Sequence, residues 1–337
     1  MKARYNILFT VMAIIAILPT SESRASVRSI IDKINKMDTT WKAGDNFDQG
    51  NYVRRLLETS RPRPRSSLPI MARLDTEMVI PEKFDSRKQW PECPTVSHIQ
   101  DQGACGACWA VVGAATFSDR LCIASKGKYK LHLSAHHLLT CCGVTMCGTI
   151  ACDGGDDYRA WVFFRKYGVT TGGDYNTTEG CQPYTVPPCE HHTQGTRPDC
   201  YKMAEPVIEV CQNECSNKQY SKPMKEDLFK VSRAYKVMSD VIEIKKEILK
   251  HGPVQAGFTV YEDFQVYKSG VYRHTTGNKI GEHSVRILGW GYEGSQPYWL
   301  VANSWNTNWG ENGTFRVAMG VNECGIEEAV HAGIPIV

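Results

Sequence analysis

An α+β fold held by multiple disulfides is predicted by three observations. Helical spacing occurs twice. Trp109 to Leu121 is Ala-rich with Val112, Thr116 and Asp119 in step, and Val241, Ile244 and Ile248 suit a helix ending at Gly252-Pro253. Strand-like alternation follows at Val254, Ala256, Phe258 and Val260, and again at Phe315, Val317 and Met319. All 14 Cys lie from Cys93 onward. The 337 residues could hold two ordinary domains or one large two-lobed one.

Composition narrows the function classes. With 22% charged and 42% hydrophobic residues the chain is not a disordered type. A net charge of +3 is too weak to argue for nucleic acid or a membrane surface as partner. The charge is also uneven. Residues 1–79 carry 13 Lys+Arg against 8 Asp+Glu, and residues 80–337 carry 26 against 28. The basic balance therefore belongs to a Cys-free leader, and the body is slightly acidic.

The leader reads as two segments. Lys2 and Arg4 precede an apolar run from Ile7 to Leu18, and Ser23-Arg24-Ala25 supplies small residues for cleavage. Twelve residues are too few to cross a bilayer of about 30 Å, so 1–25 is expected to be a secretory signal, with a retained anchor as the alternative. No later run approaches 18 apolar residues, so no transmembrane helix is expected. Secretion supplies the oxidising compartment that disulfides need. Residues 26–79 open with Val27, Ile30, Ile31 and Ile34 at helical spacing, followed by the aromatic-containing stretch Trp41 to Phe47. Arg61-Pro62-Arg63-Pro64-Arg65-Ser66-Ser67 is basic and Pro-rich, a protease-accessible tether. The combination points to a propeptide; a flexible tail is the plainer alternative.

Cys141, Cys142, Cys147 and Cys152, with His132, His136 and His137 nearby, raise the question of zinc. Adjacent Cys residues suit one tetrahedral ion poorly, so disulfides are expected and no metal or other cofactor. Chemistry centres instead on Cys108, at the start of the helix beginning near Trp109. Helix-end N–H groups and the dipole favour a thiolate there. The small Gly106 and Ala107 before it let a substrate backbone come close. Participation of Cys105 or Cys108 in a disulfide is the competing reading, and it fits Cys105 well. If one Cys stays outside the bridges, parity requires a second. A thiolate nucleophile needs a proton carrier, and His283, opening a strand-like run to Trp290, is the candidate. Asn303 could orient its ring and Trp305 could shield the bond.

These stretches resemble the papain-like cysteine peptidases (C1 family), in particular the cathepsin B-like group. Gln102-Gly103-Ala104-Cys105-Gly106-Ala107-Cys108-Trp109 matches the nucleophile signature, and Asn303-Ser304-Trp305 the second element. Pro188-Cys189-Glu190-His191-His192 matches the loop that distinguishes the group. In the leader, Thr40-Trp41-x-Ala43-Gly44-x-Asn46-Phe47 matches part of the propeptide.

The resemblance implies a two-lobed papain-like fold. A helical left lobe would span about 91–232, and a β-barrel right lobe about 233–333 with 80–90 strapped to it. The mature peptidase would be 80–337. Implied disulfides are Cys93–Cys122, Cys105–Cys152, Cys141–Cys211, Cys142–Cys147, Cys181–Cys215 and Cys189–Cys200, each typically contributing about 2–4 kcal/mol. Cys108 and Cys324 stay outside them. Implied roles are Cys108 as nucleophile, His283 as acid–base, Asn303 as its orienter, and Gln102 with the Cys108 N–H as oxyanion donors. Gly154, Gly155 and Trp305 would line the substrate cleft, Ala329 would floor the pocket for the P2 side chain, and His191 and His192 would take a C-terminal carboxylate. The enzyme would cut peptide and protein substrates as an endopeptidase and a peptidyl-dipeptidase. Its own propeptide and cystatin-type inhibitors would block it, and it would act in the lysosome or outside the cell. Asn176 and Asn312 head N-glycosylation sequons.

Four positions depart from the group. Glu282 replaces Gly before His283, where an anion is expected to favour the imidazolium. Ala329 replaces an acid, which predicts apolar P2 side chains over Arg. Asn308 replaces the Asp that holds Arg197, which predicts a looser loop, although the His191–Asp101 pairing is kept. Asp153 replaces an Asn beside the cleft glycines. Two non-peptidase readings compete: a silent papain-like binder and a disulfide-rich structural protein. Retention of Cys108, His283, Asn303 and Gln102 argues against both.

Overall fold

The computed structural model describes residues 21–44, 66–71, 77–148 and 151–337. The expected signal segment before residue 21, the stretch Asp45 to Phe47 and the tether as far as Arg65 lie outside the described residues.

The described residues begin with helix α1 (Ser21–Lys36) and strand β1 (Trp41–Ala43). The apolar stripe read from the sequence is the buried one: Val27, Ile30 and Ile34 are buried, with Ile31 partly so. Strand β2 (Phe84–Asp85) leads into the short helix α2 (Ser86–Gln89). Helices α3 (Cys108–Ala124), α4 (Ala135–Cys141) and α5 (Asp157–Lys166) form the body of one lobe. Ser134 caps α4 by accepting the His137 N–H at 2.9 Å. Strand β3 (Val231–Lys236) crosses to the other lobe and is followed by helix α6 (Val241–His251). Asp240 caps α6 through the Ile242 and Glu243 N–H groups, and Gly252 ends it at φ 93° with Pro253 next. Strands β4 (Val254–Tyr261), β5 (Tyr267–Tyr272), β6 (Lys279–Glu293), β7 (Gln296–Ala302), β8 (Thr314–Ala318) and β9 (Val330–Pro335) complete the chain.

The sheet runs β1-β5-β8-β7-β6-β4-β9-β3, antiparallel except for β5 beside β8, with β2 added to β6. The closed β-barrel expected for the right lobe is better described as an open sheet. Leader residues cover both of its ends. At one end β1 pairs with β5. At the other, Ile70 bridges to Lys236 on β3, with Met71 N–H to Lys236 O at 2.9 Å and Lys236 N–H to Pro69 O at 3.0 Å. A covered edge needs no ladder to close it.

Two cores match the two lobes. One gathers Phe117, Leu121, Trp161 and Phe164 with the helices, and the other gathers Phe258, Trp299, Val301 and Phe315 with the sheet. Phe84 joins the sheet core. The division falls inside β3, where Ala234 faces the helical core and Tyr235 the sheet core.

Buried polar groups fix the lobes against each other. Arg120 on α3 donates to Gly333 O, Pro253 O, the Tyr235 hydroxyl and Glu247 at 2.7 Å. Arg286 on β6 pairs with Asp119 on α3 at 2.7 Å. Gln255 on β4 donates to Trp109 O, Asp157 and Ser284, and accepts from the Trp161 indole. The two lobes are therefore held in place by specific polar contacts. Six disulfides join Cys93–Cys122, Cys105–Cys152, Cys141–Cys211, Cys142–Cys147, Cys181–Cys215 and Cys189–Cys200. Cys108 and Cys324 are outside them.

Candidate active site

Cys108 is the first residue of α3 and is buried. Ala107 precedes it as a cap with no side-chain acceptor, so the first-turn N–H groups are not claimed by a capping side chain. This is the environment expected to stabilise a thiolate or an oxyanion. The Cys105–Cys152 bridge draws a second strip of backbone alongside. Gly106 N–H donates to Cys152 O at 3.0 Å, and Gly106 pairs with Asp153. Gly154 and Gly155 follow directly. A Cβ on Gly155 would lie 2.5 Å from the Trp109 ring, so only glycine fits there. Asp153 itself is exposed.

His283 sits on β6 opposite Phe258, and its Nε2 lies 2.7 Å from Asn303 Oδ1. That oxygen can only accept, so Nε2 is the donor and Nδ1 is the nitrogen left for proton transfer. Asn303 is held at the end of β7 by its N–H to Gly313 O, and its Oδ1 also accepts the Ser304 N–H. The fully buried Trp305 ring covers His283 at 4.9 Å between centroids.

The two loops are stitched together across the lobes. Gln102 N–H donates to Ser304 O at 3.0 Å, Asp101 pairs with Trp305, and Asn306 N–H reaches Gln100 O. The Gln102 amide is oriented from both ends. Its Oε1 accepts the Ser304 hydroxyl at 2.7 Å, and its Nε2 donates to Cys105 O at 2.7 Å. Tyr184 adds a third hold by donating to Gln102 O at 2.9 Å. A thiol at a helix start, an imidazole oriented by an amide and a fixed amide donor are the parts of covalent acyl transfer.

The model of the papain family cysteine protease matches residues 80–334. The chain belongs to that family. Cathepsin B-like cysteine proteinase 4 of Caenorhabditis elegans is 43% identical over 98% of this chain and 99% of its own length. The solved procathepsin B S9 of Trypanosoma congolense is 35% identical with a TM-score of 0.78, covering 92% of this chain and 98% of that one. A digestive procathepsin L 3 of Tenebrio molitor, 20% identical with a TM-score of 0.65, shares the fold. The chain is a cathepsin B-like cysteine protease made as a proform.

In this protease the loop closed by Cys189–Cys200 lies against the same Trp305. His191 stacks on it at 6.0 Å and 6°, and His192 meets it edge-on at 5.2 Å. His191 Nε2 is 2.7 Å from Asp101 Oδ1. Burial, then the charges of His191 and His283, push His192 down to about 3, so it is neutral in this state.

One expectation changes here. Asn308 was expected to leave Arg197 without its tether. Instead Asn308 Nδ2 donates to both Glu190 oxygens at 2.9 and 3.1 Å, and Arg197 pairs with the same Glu190 at 3.3 Å. The buried Glu190 therefore bridges the two, and the loop keeps a tie by another route. Glu282 was expected to act on His283. Neighbouring strand residues face opposite sides, and the Glu282 carboxylate lies on the Lys279 ammonium and the Thr259 hydroxyl.

Ala329 is half-buried, and its carbonyl accepts the Gly257 N–H at 3.0 Å, one row from Ser284 on β6. Asn176 and Asn312 are exposed. Cys189, His191 and Cys200 bring ligand atoms within 4.8 Å of one another, but both sulfurs are in a bridge and offer no thiolate. Cys141, Cys142, Cys147 and Cys152 are likewise in bridges. His137, near them, is a buried acceptor for the Thr170 N–H and is pushed down to about 4 by burial. Sequence reasoning missed the roles of Ser304, Tyr184 and Glu190. Ser304 stands inside a quoted motif, yet its partner is 202 residues away.

Proposed function

We propose that Cys108 attacks the scissile carbonyl as a thiolate paired with protonated His283. The new oxyanion takes the Cys108 N–H and the Gln102 amide, a contribution of about 2.7–4 kcal/mol per donor in comparable sites. His283 passes its proton to the leaving amine, and water then hydrolyses the thioester. Asn303 keeps the ring oriented. Gly154 and Gly155 carry the substrate strand, and Trp305 walls the primed side. The reading is carried by one observation: an uncapped helix start bearing Cys108, stitched to a loop whose Asn303 holds His283 at 2.7 Å.

On this reading residues 1–25 are a signal segment, 26–79 an inhibitory propeptide and 80–337 the mature enzyme. It passes through the secretory pathway to the lysosome or the exterior, with glycans at Asn176 and Asn312. Cystatin-type proteins are its expected inhibitors. The contacts of His191 and His192 with Trp305 support an occluding loop that receives a C-terminal carboxylate and gives dipeptide removal.

A neutral His192 makes that activity pH-dependent. An arriving carboxylate favours the imidazolium, so binding takes up a proton. The KM of a substrate with a free C-terminus should rise about tenfold per pH unit from about 3 up to the bound-state pKa and level off above it. The matched amidated substrate should show no such rise. Equal pH profiles for the two would remove His192 from carboxylate binding. The same shift affects the loop's own stability. Folding holds the His192 pKa below its unfolded value of about 6.5. Its contribution is complete above that pH and declines as pH falls toward about 3, so the loop loosens in acid.

Without an acid at 329, substrates with Phe at P2 should outpace those with Arg by about tenfold or more, and Ala329→Glu should recover much of the Arg turnover. Comparable turnover by the unaltered enzyme would count against the pocket assignment.

A further inference from the structure

The leader's hold on the sheet is built around one side chain. Trp41 is 1% exposed, with its ring 5.1 Å from Tyr272 and 6.1 Å from Tyr267. Its indole N–H donates to Arg273 O at 2.9 Å and Thr275 Oγ1 at 3.2 Å. Thr40 O accepts the Val271 N–H at 2.8 Å, and the Thr40 hydroxyl donates to Val271 O at 2.6 Å. Gly270 lets the strands close in. A Cβ there would lie 2.6 Å from Thr40 O and 2.7 Å from Trp41 Cα. Ala43 is buried two residues on, and Gly44 N–H donates to Val266 O.

We infer that, once the leader is removed, this slot becomes a second recognition site on the mature protease. It would take an extended segment of a protein substrate carrying Trp with a small residue two positions later. The inference rests on the proposed removal of residues 26–79. The walls of the slot belong to the right lobe. Tyr272 is tied by its hydroxyl to Asp263 at 2.7 Å and Tyr267 to Gly270 O at 2.7 Å. Asp263 also accepts the Thr275 and Thr276 N–H groups at 2.7 and 2.9 Å, which shapes the turn that receives the indole. Loss of β1 therefore leaves an indole-sized gap beside a sheet edge with open backbone donors and acceptors. Strand addition supplies affinity at such an edge, and side-chain pockets supply selectivity.

The slot is separate from the cleft but near it. Ring contacts run from Trp41 through Tyr267, Trp309 and Trp305 to His283, at 6.1, 5.7, 5.1 and 4.9 Å. One polypeptide could occupy both. A segment docked in the slot raises the local concentration of a scissile bond on the same chain. Its contacts are equal in ground and transition states, so it lowers KM and leaves kcat unchanged.

The test uses the unaltered mature enzyme. A short fluorogenic peptide is compared with the same peptide joined by a flexible Gly/Ser linker to Thr-Trp-Lys-Ala-Gly, and with a version having Ala for Trp. The Trp version should show a KM about tenfold lower than the other two at equal kcat. A free peptide of residues 26–44 should abolish that advantage without slowing the short substrate. Equal KM for the Trp and Ala versions, or equal inhibition of the short substrate by the free peptide, would overturn the inference. Failure of the peptidase reading shows separately, as no turnover of the short substrate. In that event the anisotropy of a labelled 26–44 peptide on the leader-free protein still reads the slot. Binding weakened about tenfold by Trp41→Ala in the peptide supports it, and absence of binding refutes it.

Discussion

Replacing Cys108 with Ala should lower kcat by about a million-fold, the scale seen when a nucleophile is removed from a group that acts as a unit. His283→Ala should cost nearly as much, and the double variant little more, because neither residue works without the other. The residual rate would come from the oxyanion donors and substrate binding. Steady-state kinetics with one short substrate on activated enzyme settles this. Independent, additive losses from the two substitutions would show that Cys108 and His283 do not form one catalytic pair. Asn303→Ala should cost less, since it removes the orienter while leaving both reacting groups.

The largest effect on stability should come from Arg120. The guanidinium is completely buried between the lobes and pairs with Glu247, itself 1% exposed. Arg120→Met leaves that carboxylate the Tyr235 hydroxyl as donor but no positive partner, at a cost of about 3–5 kcal/mol. Removing both charges, with Glu247→Leu added, should recover much of the loss. Urea midpoints of the single and double variants, with the disulfides intact, test this. A double variant no more stable than Arg120→Met would mean the guanidinium acts through its carbonyl contacts with Gly333 and Pro253 instead.

How much of this was legible in the sequence depends on the range of each interaction. Helix α3, with Cys108 at its start, follows from composition and spacing over a few residues, and α6 is announced by Gly252-Pro253 at its end. The His283–Asn303 contact was legible because each member stands in a short stretch whose chemistry is recognisable. The orientation of Gln102 was not, because Ser304 and Tyr184 act on it from distant parts of the chain. The rerouting of the Arg197 tether through Glu190 was hidden for the same reason: removing the Asp at 308 is visible, but a buried carboxylate able to bridge the gap is not. The open sheet was missed because its edges are covered by Trp41 and Ile70, residues of a leader that the fold class itself does not include.

The central claim is that Cys108 is the reactive thiol of a protease released from its own leader. The direct measurement is to activate the purified proform in acid, add an electrophilic peptidyl epoxide in rising amounts, and follow both activity and the site of modification. One adduct per chain on Cys108, with activity lost in proportion, is the predicted result. Cys324 is the internal comparison. Burial and the neighbouring Glu323 push its thiol up, which disfavours the reactive thiolate. Modification at Cys324, or activity that survives full modification of Cys108, would contradict the account.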